Sequence, residues 1–384
     1  MKTIIVGLNF GKGDFDASME ELHLLVNSAG GDVCAAVTGT RKSPDAKLYI
    51  GSGKADEVKE MAILHDADCI VFNHSISPAQ QRNLEEKFET RILDRTGLIL
   101  DIFAQRAKSH EGKLQVEMAQ LEYMGSRLTG LWTHLERQRG GIGMRGGMGE
   151  SQLEIDKRLI SERRMKLKGE LARFERQHQT QRRARTRGTG LNISLVGYTN
   201  AGKSTLFNSL TSAKAYAADQ LFATLDTTTR KLYVEGAGQM AISDTVGFVR
   251  DLPHQLVAAF RATLEETIHA DVLFHVVDAS SDVRLEQIEE VNKVLKEIEA
   301  DQIHQVLIWN KIDLTAHEPA IERDENGRIN RVYVSAKTGA GMPQLREAIL
   351  ELALNHATEE IKPVSHTQAQ IEADWQDDPR FRSN

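Results

Sequence analysis

The chain has 384 residues, a formal net charge of −7, 40% hydrophobic and 27% charged residues, which suits a globular protein of two or three domains and excludes fibrous and disordered classes. Two cysteines, Cys34 and Cys69, exclude a disulfide framework or a cysteine-rich metal site, and both read as small buried apolar residues. No run of about 18 apolar residues occurs, so no membrane span is expected. Met1-Lys2-Thr3 leads straight into Ile4-Ile5-Val6, which reads as a strand and not as a secretion signal, so a cytoplasmic location is expected.

The charge is uneven. Residues 106–187 carry 19 Lys/Arg against 10 Asp/Glu, leaving 29 against 45 elsewhere. A basic stretch on an acidic protein points to a directed nucleic-acid contact, not to general stickiness.

Residues 1–107 alternate strand-like and helix-like stretches. Thr3–Leu8, Val33–Val37, Cys69–Phe72 and Arg91–Leu93 read as short buried strands, with helices over Ser18–Val26, Lys54–Leu64 and Ala79–Phe88. This alternation predicts a small parallel α/β domain. Gly51-Ser52-Gly53-Lys54 lacks the spacing of a phosphate loop and reads as a strand-to-helix turn. His74, alone in its loop, reads as solvated.

Residues 108–188 read as a long antiparallel helical hairpin. Leu114, Met118, Leu121, Leu128, Leu131 and Leu135 mark one apolar face of a first helix. A second helix runs from Gln152 to Arg185, its apolar positions being Leu153, Leu159, Ile160, Leu167, Leu171 and Phe174. Between them, residues 139–150 hold six glycines with Arg139 and Arg145, a composition that no continuous helix tolerates. At about 1.5 Å per residue, a helix of about 28 residues reaches roughly 40 Å. Most helix–helix connections need only about 2–8 residues, so the long glycine–arginine tip predicts RNA contact. A stripe of 12 basic against 3 acidic residues over 157–187, beginning with Lys157 and Arg158, predicts further phosphate contact.

Residues 189–356 form a second strand–helix series, with strands expected at Ile193–Val196, Lys231–Val234, Met240–Ser243, Val272–Asp278, Val306–Trp309 and Arg331–Val334. Its first loop spells Gly197-Tyr198-Thr199-Asn200-Ala201-Gly202-Lys203-Ser204-Thr205, the G-x4-G-K-[ST] pattern of a phosphate loop. Backbone N–H groups and a helix N-terminus would cradle phosphates, Lys203 would reach the β- and γ-phosphates, and the Ser204 hydroxyl would hold Mg²⁺. Asp244-Thr245-Val246-Gly247 ends an apolar strand, where Asp244 would reach Mg²⁺ through water and the Gly247 N–H would face the γ-phosphate. Asn310-Lys311-Ile312-Asp313 ends another. The Asp313 carboxylate accepts from guanine N1 and N2, whereas adenine presents an acceptor there. Asn310 would tie this loop to the phosphate loop and the Lys311 stem would cover the base. From Ser335-Ala336-Lys337 a backbone N–H could reach guanine O6. Four ordered motifs at strand ends place a ligand at the carboxyl edge of a P-loop GTPase (Rossmann-like) sheet. GTP is therefore the expected substrate and GDP a product.

Phe222-Ala223-Thr224-Leu225-Asp226 and the threonines after it form the expected switch, with Thr224, Thr227, Thr228 and Thr229 each able to complete Mg²⁺ coordination. Phe248 stands where a water-orienting glutamine often stands, which predicts slow hydrolysis that waits for a partner. Asn200 resembles the asparagine of potassium-stimulated GTPases, making K⁺ a candidate cofactor. Residues 357–384 read as an acidic, flexible tail.

The chain is similar to the HflX family of ribosome-associated bacterial GTPases. The resemblance rests on YIGSGK at 49–54, DRTGLILDIFAQRA at 94–107, QVEMAQLEYM at 115–124, GGIGMRGGMGESQLEID at 140–156, GYTNAGKSTLFN at 197–208, FATLD at 222–226, DTVGFVRDLPH at 244–254 and NKID at 310–313. Met148 stands where family members usually carry proline. The resemblance assigns the switch threonine to Thr224. It implies a GTPase that binds the large ribosomal subunit and its rRNA with GTP, and that splits stalled or idle ribosomes under stress; a monomer is expected. It also links the N-terminal domain to ATP and RNA remodelling. Two other readings are open: an RNA-remodelling ATPase built on residues 1–107, and a GTPase whose hairpin docks on a protein or membrane partner, with partial membrane association.

Overall fold

The fold comes from a computed structural model, which describes residues 1–11, 13–138, 152–186, 190–211, 221–250, 252, 256–257 and 260–360. Alternating short apolar runs build a first four-stranded sheet from β1 (Lys2–Asn9), β2 (Asp32–Thr40), β3 (Cys69–Phe72) and β4 (Arg91–Asp94), ordered β2-β1-β3-β4 and wholly parallel. Helices α1 (Phe15–Ser28), α2 (Ser52–His65) and α3 (Pro78–Phe88) connect the strands. Ser77 and Gln80 close a reciprocal capping box at the start of α3, with Pro78 in its first turn. The turn at 51–54 is the helix entry expected of it, Gly51 adopting φ 82°. His74 is not solvated: its ring lies beside the backbone of Leu8, with Nε2 3.0 Å from the Leu8 carbonyl oxygen.

The sequence reading missed α4 (Arg95–Arg106), whose first turn is capped by the Asp94 carboxylate at 2.8 Å from the Gly97 amide. Eight of its residues are buried, among them Arg95, Thr96 and Gly97, and only Ala104 and Gln105 are exposed; no loop separates it from β4. The long helices α5 (His110–Gln138) and α6 (Gln152–Thr186) follow. They run antiparallel: Glu117 pairs with Arg163 (2.6 Å), Glu122 with Arg164 (3.0 Å) and Glu111 lies 3.2 Å from His178. Two arginines of the basic stripe therefore serve the hairpin's own seam. Lys157 and Arg158 are exposed, Arg158 being 3.8 Å from Glu162. Leu167 is fully buried, but Leu159, expected on the same apolar face, is 54% exposed. The tip, including Arg139, Arg145 and Met148, and the side chains of Leu128, Leu131, Leu135 and Leu153 lie outside the described residues.

The second sheet has seven strands: β5 (Asn192–Gly197), β6 (Thr228–Val234), β7 (Gly238–Asp244), β8 (Val272–Asp278), β9 (His304–Asn310), β10 (Ile321–Arg323) and β11 (Ile329–Tyr333). Their order is β10-β11-β9-β8-β5-β7-β6, with β6 antiparallel to β7, β10 antiparallel to β11, and the rest parallel. Around it lie α7 (Lys203–Thr211), α8 (Arg261–Ile268), α9 (Arg284–Glu297) and α10 (Met342–Glu360). The sequence reading omitted the three-residue edge strand β10. Helix α10 continues four residues into the expected tail; residues 361–384 lie outside the described ones. Among the described residues no helix is long and apolar enough to cross a membrane.

The two α/β units share one continuous core. It joins Leu22, Leu25, Ile99, Ile102 and Phe103 of the first unit to Tyr198, Leu221, Phe222, Leu225, Phe248 and Phe260 of the second. The Phe103 ring stands edge-on to Phe222 and to Phe260, with centroids 4.6 and 4.9 Å apart. A buried polar cluster lies beside it: Arg95 pairs with Glu21 (2.8 Å) and donates to Asn73 (2.9 Å) and to the Arg250 carbonyl (3.2 Å). The Tyr198 hydroxyl donates to Glu21 at 2.9 Å and accepts from the Arg250 amide at 2.6 Å. Phe103→Ala removes the ring common to both halves. We expect a loss of about 3–5 kcal/mol and a lowered thermal midpoint, read by calorimetry, in both units together; a midpoint equal to the parent's would contradict a shared core.

Candidate active site

The loop from β5 to α7 must reverse direction at close quarters. Asn200 adopts φ 59° and Gly202 φ 93°, both left-handed, and a Cβ on Gly202 would strike the Asn310 amide. The loop thereby presents the N-terminus of the nine-residue helix α7 to a cleft of about 370 Å³. Thr199, Asn200, Gly202, Lys203, Ser204 and Thr205 line this cleft from the loop side; Phe222, Ala223 and Thr224 line it from the switch, and Thr245 and Gly247 from the end of β7. Asn310, Lys311, Asp313, Ala336 and Lys337 close its far end, together with Leu314, which no motif had singled out.

Lys203 is almost fully buried, its ammonium donating to the carbonyls of Gly197 (3.0 Å) and Tyr198 (2.8 Å). Burial draws its pKa down to about 8, with Asp244 opposing the shift. Asp244 is pushed up by the same burial, against the bonds from Ser204 and Thr224 and the charge of Lys203.

Ser204, Thr224 and Asp244 converge. Ser204 Oγ lies 2.7 Å from both Thr224 Oγ1 and Asp244 Oδ2, and Thr224 Oγ1 donates to Asp244 Oδ2 at 3.0 Å. Asp244 Oδ1 is buried with no hydrogen-bond partner among the described residues. Three hard oxygen donors and an orphaned carboxylate oxygen fit Mg²⁺, which prefers oxygen ligands and often keeps several waters. Of the four candidate threonines, Thr224 is the one in this trio.

At the far end the Asn310 amide donates to the Ala201 carbonyl (2.9 Å) and its oxygen accepts from the Ala336 amide (2.9 Å). This side chain thus ties the Asn310–Asp313 loop to the phosphate-type loop and to Ala336. Lys311, at φ 64°, anchors its ammonium on Asp278 at 2.8 Å. Ser335 Oγ donates to Asp313 Oδ1 at 2.6 Å and so orients that carboxylate. Asp278 and Ser335 Oγ are supports that the motifs did not reveal as such.

Several expected site residues sit elsewhere. Tyr198 turns away from the cleft to Glu21. Leu225 is buried in the shared core. Asp226 accepts from the amides of Lys108 (3.0 Å) and Ser109 (2.9 Å) and from the Ser109 hydroxyl, so its carboxylate holds the residues that enter α5, whose first turn Ser109 caps at the Gly112 amide (2.8 Å). Gly197, Ala201, Val246, Ile312 and the main chain of Ser335 shape the loops without lining the cleft. Phe248 is 1% exposed, its ring in the shared core. No local sequence signal could have found Glu21, Arg95 or Phe103, because Arg95 pairs with Glu21 far along the chain, Glu21 in turn meets Tyr198, and Phe103 meets Phe222 of the other unit.

Comparison with known proteins agrees with this geometry. Residues 16–104 match the family described as GTP-binding GTPase N-terminal, 106–185 GTP-binding GTPase Middle Region, and 192–311 50S ribosome-binding GTPase. The chain is 53% identical over 352 residues to GTPase HflX of Escherichia coli, covering 91% of this chain and 82% of that one. It is 48% identical over 351 residues to GTPase HflX of Magnetococcus marinus, covering 90% and 81%. Among solved structures, that of SsGBP with GDP aligns over 92% of this chain and 99% of that one, at 25% identity and TM-score 0.50. With identity of this level sustained across both α/β units and the hairpin between them, the chain belongs to the GTPase HflX family and hydrolyses GTP.

Proposed function

We propose that GTP lies in the cleft with its phosphates on the loop of Gly197–Thr205 and its guanine at Asp313, and that the bound nucleotide controls docking on the large ribosomal subunit. Lys203 and the amides before α7 hold the phosphates, and the Gly247 amide faces the γ-phosphate. Ser204 and Thr224 would hold Mg²⁺, with Asp244 acting through water. The ion would neutralise charge developing on the phosphate oxygens. Asn200 would place K⁺ near the transferring group.

The observation that carries the ribosome reading is the double attachment of the switch segment. Phe222 is held by Phe103 of the first unit, and Asp226 holds Lys108 and Ser109 at the entry to the hairpin arm. Thr224 lies between them. A change at the γ-phosphate therefore acts on both the first unit and the arm, which is how a nucleotide could govern a distant docking surface. The second unit matches a 50S ribosome-binding GTPase family, and the arm is basic overall. On this reading GTP-bound protein docks through the arm on rRNA and separates stalled or idle ribosomes under stress, and hydrolysis resets the switch. Phe248 offers no hydrogen bond to water, so turnover is slow until the ribosome orders the switch.

Three outcomes follow. In co-sedimentation the chain should pellet with large subunits in GTP or a non-hydrolysable analogue but not in GDP, hydrolysis should rise on the ribosome, and pelleting should weaken steeply as salt rises. Nucleotide-independent or salt-insensitive pelleting would count against rRNA contact. Asp313→Asn should weaken GTP binding by about 1–3 kcal/mol and improve xanthosine triphosphate, whose 2-oxo group accepts from the new amide; unchanged selectivity would remove Asp313 from base recognition. Finally, hydrolysis should run faster in K⁺ than in Na⁺ buffer, and Asn200→Ala should erase the difference; equal rates in the parent would dismiss the K⁺ site.

A further inference from the structure

On the placement of GTP proposed above, the Gly247 amide faces the γ-phosphate, and what holds it there lies in the three residues that follow. The Phe248 amide donates to the Gly197 carbonyl at 3.1 Å, and the Phe248 carbonyl accepts from the Thr199 amide at 2.8 Å, so a short parallel bridge ties the segment to the phosphate loop. Phe248 and Val249 are buried in the shared core. Arg250 has both of its backbone groups taken. Its amide donates to the Tyr198 hydroxyl at 2.6 Å, and its carbonyl accepts from the Arg95 guanidinium at 3.2 Å. The Arg250 side chain adds bonds to the Asp14 carbonyl (3.1 Å) and to Glu286 (2.6 Å).

Tyr198 is the centre of this arrangement. Its hydroxyl carries one hydrogen, and Glu21 of α1 takes it at 2.9 Å. An ionised carboxylate only accepts, so the hydroxyl must turn a lone pair to the Arg250 amide. Glu21 is itself paired with Arg95 at 2.8 Å, both side chains being buried. Burial and the Glu21 charge push the Tyr198 pKa up, which keeps its hydroxyl protonated and donating. The first unit thus governs both backbone groups of Arg250: the amide through Glu21 and Tyr198, the carbonyl through Arg95. The effect reaches the cleft at Gly247. A methyl group built there would lie 2.8 Å from Thr199 Cγ2 and 3.0 Å from Lys203 Nζ, so the Gly247 backbone is held against the lysine that serves the β- and γ-phosphates.

We infer that Tyr198 is a positioning residue for GTP hydrolysis: its hydroxyl, oriented by Glu21 of the first unit, fixes Arg250 and through it the Gly247 amide at the γ-phosphate. The inference rests on GTP lying in the cleft as proposed above. The Tyr198 hydroxyl turns from the cleft, so it acts through the backbone of residues 247–250 and not by contact with the nucleotide. The diphosphate and the base are held by other groups, namely the phosphate loop, Lys203 and Asp313. Loosening Arg250 therefore spares most of the binding and costs alignment at the reacting phosphate, where a displacement of about 1 Å lowers a rate by about 100-fold.

The test uses the full chain in single-turnover GTP hydrolysis, with affinities measured separately with fluorescent GTP and GDP analogues and the thermal midpoint by calorimetry. Tyr198→Phe keeps the ring and removes the hydroxyl. Expected is a fall of about 10- to 100-fold in the hydrolysis rate, with both affinities within about threefold of the parent. Glu21→Gln leaves Tyr198 in place but removes the charge that orients it, so it should slow the parent chain more than it slows the Tyr198→Phe chain. It also carries the test by itself should the phenylalanine variant prove unstable. A Tyr198→Phe chain that hydrolyses at the parent rate or faster, even with a lowered midpoint, would show a packing role alone and overturn the inference. So would a loss confined to affinity, or effects of the two substitutions that simply multiply. A parent chain that failed to bind the GTP analogue, or bound it equally after Lys203→Ala, would instead overturn the placement of GTP beneath it.

Discussion

The burial of the switch segment in a core that two domains share is the constraint on which the rest of this molecule depends. Phe222 is a bulky residue in the left-handed region, φ 56°, and it is 2% exposed. A backbone of that kind costs on the order of 1–3 kcal/mol and persists only where its surroundings over-determine it. The surroundings here are the Phe103 ring and the buried residues around it, which belong to the first α/β unit. Two residues on, Thr224 faces Asp244; two further, Asp226 holds the entry to the arm. Nucleotide chemistry, the first unit and the hairpin root thus meet within five residues. Coupling between them needs no long relay, because one strained segment contacts all three.

The electrostatics of the cleft follow from the same burial. Lys203 and Asp244 are both removed from water, and burial pushes each towards its neutral form while each opposes the shift in the other. The site therefore gains from ligands that bring strong compensating charge: a polyphosphate against the lysine and helix N-terminus, a divalent cation against the carboxylate. The tight positions of the cleft are small for a related reason. A side chain at Gly202 would meet the Asn310 amide, and one at Gly247 would meet Thr199 and Lys203, so the backbone itself forms those walls.

Much of this was legible in the sequence because short motifs carry it. The Asn310 tie between two loops and the convergence of Ser204 and Asp244 follow from motifs at strand ends, and the parallel first sheet follows from strand–helix alternation. Side-chain direction was not legible. Tyr198 and Asp226 lie inside nucleotide motifs, yet one turns to Glu21 and the other to the root of α5. Helix α4 is hidden in the sequence because it follows β4 with no intervening loop, Asp94 both ending the strand and capping the helix. The basic stripe of α6 was counted as free charge, whereas Arg163 and Arg164 are paired with carboxylates of α5. Their partners lie more than forty positions away, beyond the reach of any local pattern.

By itself, the sequence determined the two α/β units, the arm between them and the chemistry of the cleft, since strand alternation and motif spacing are short-range properties enforced by backbone sterics. Tertiary structure alone decided that the switch is clamped between domains, that Phe248 is buried, and that Tyr198 turns from the cleft to Glu21. Those facts arise from packing between segments a hundred or more residues apart, where the partner of a side chain is set by the closure of the shared core and not by its neighbours in the chain.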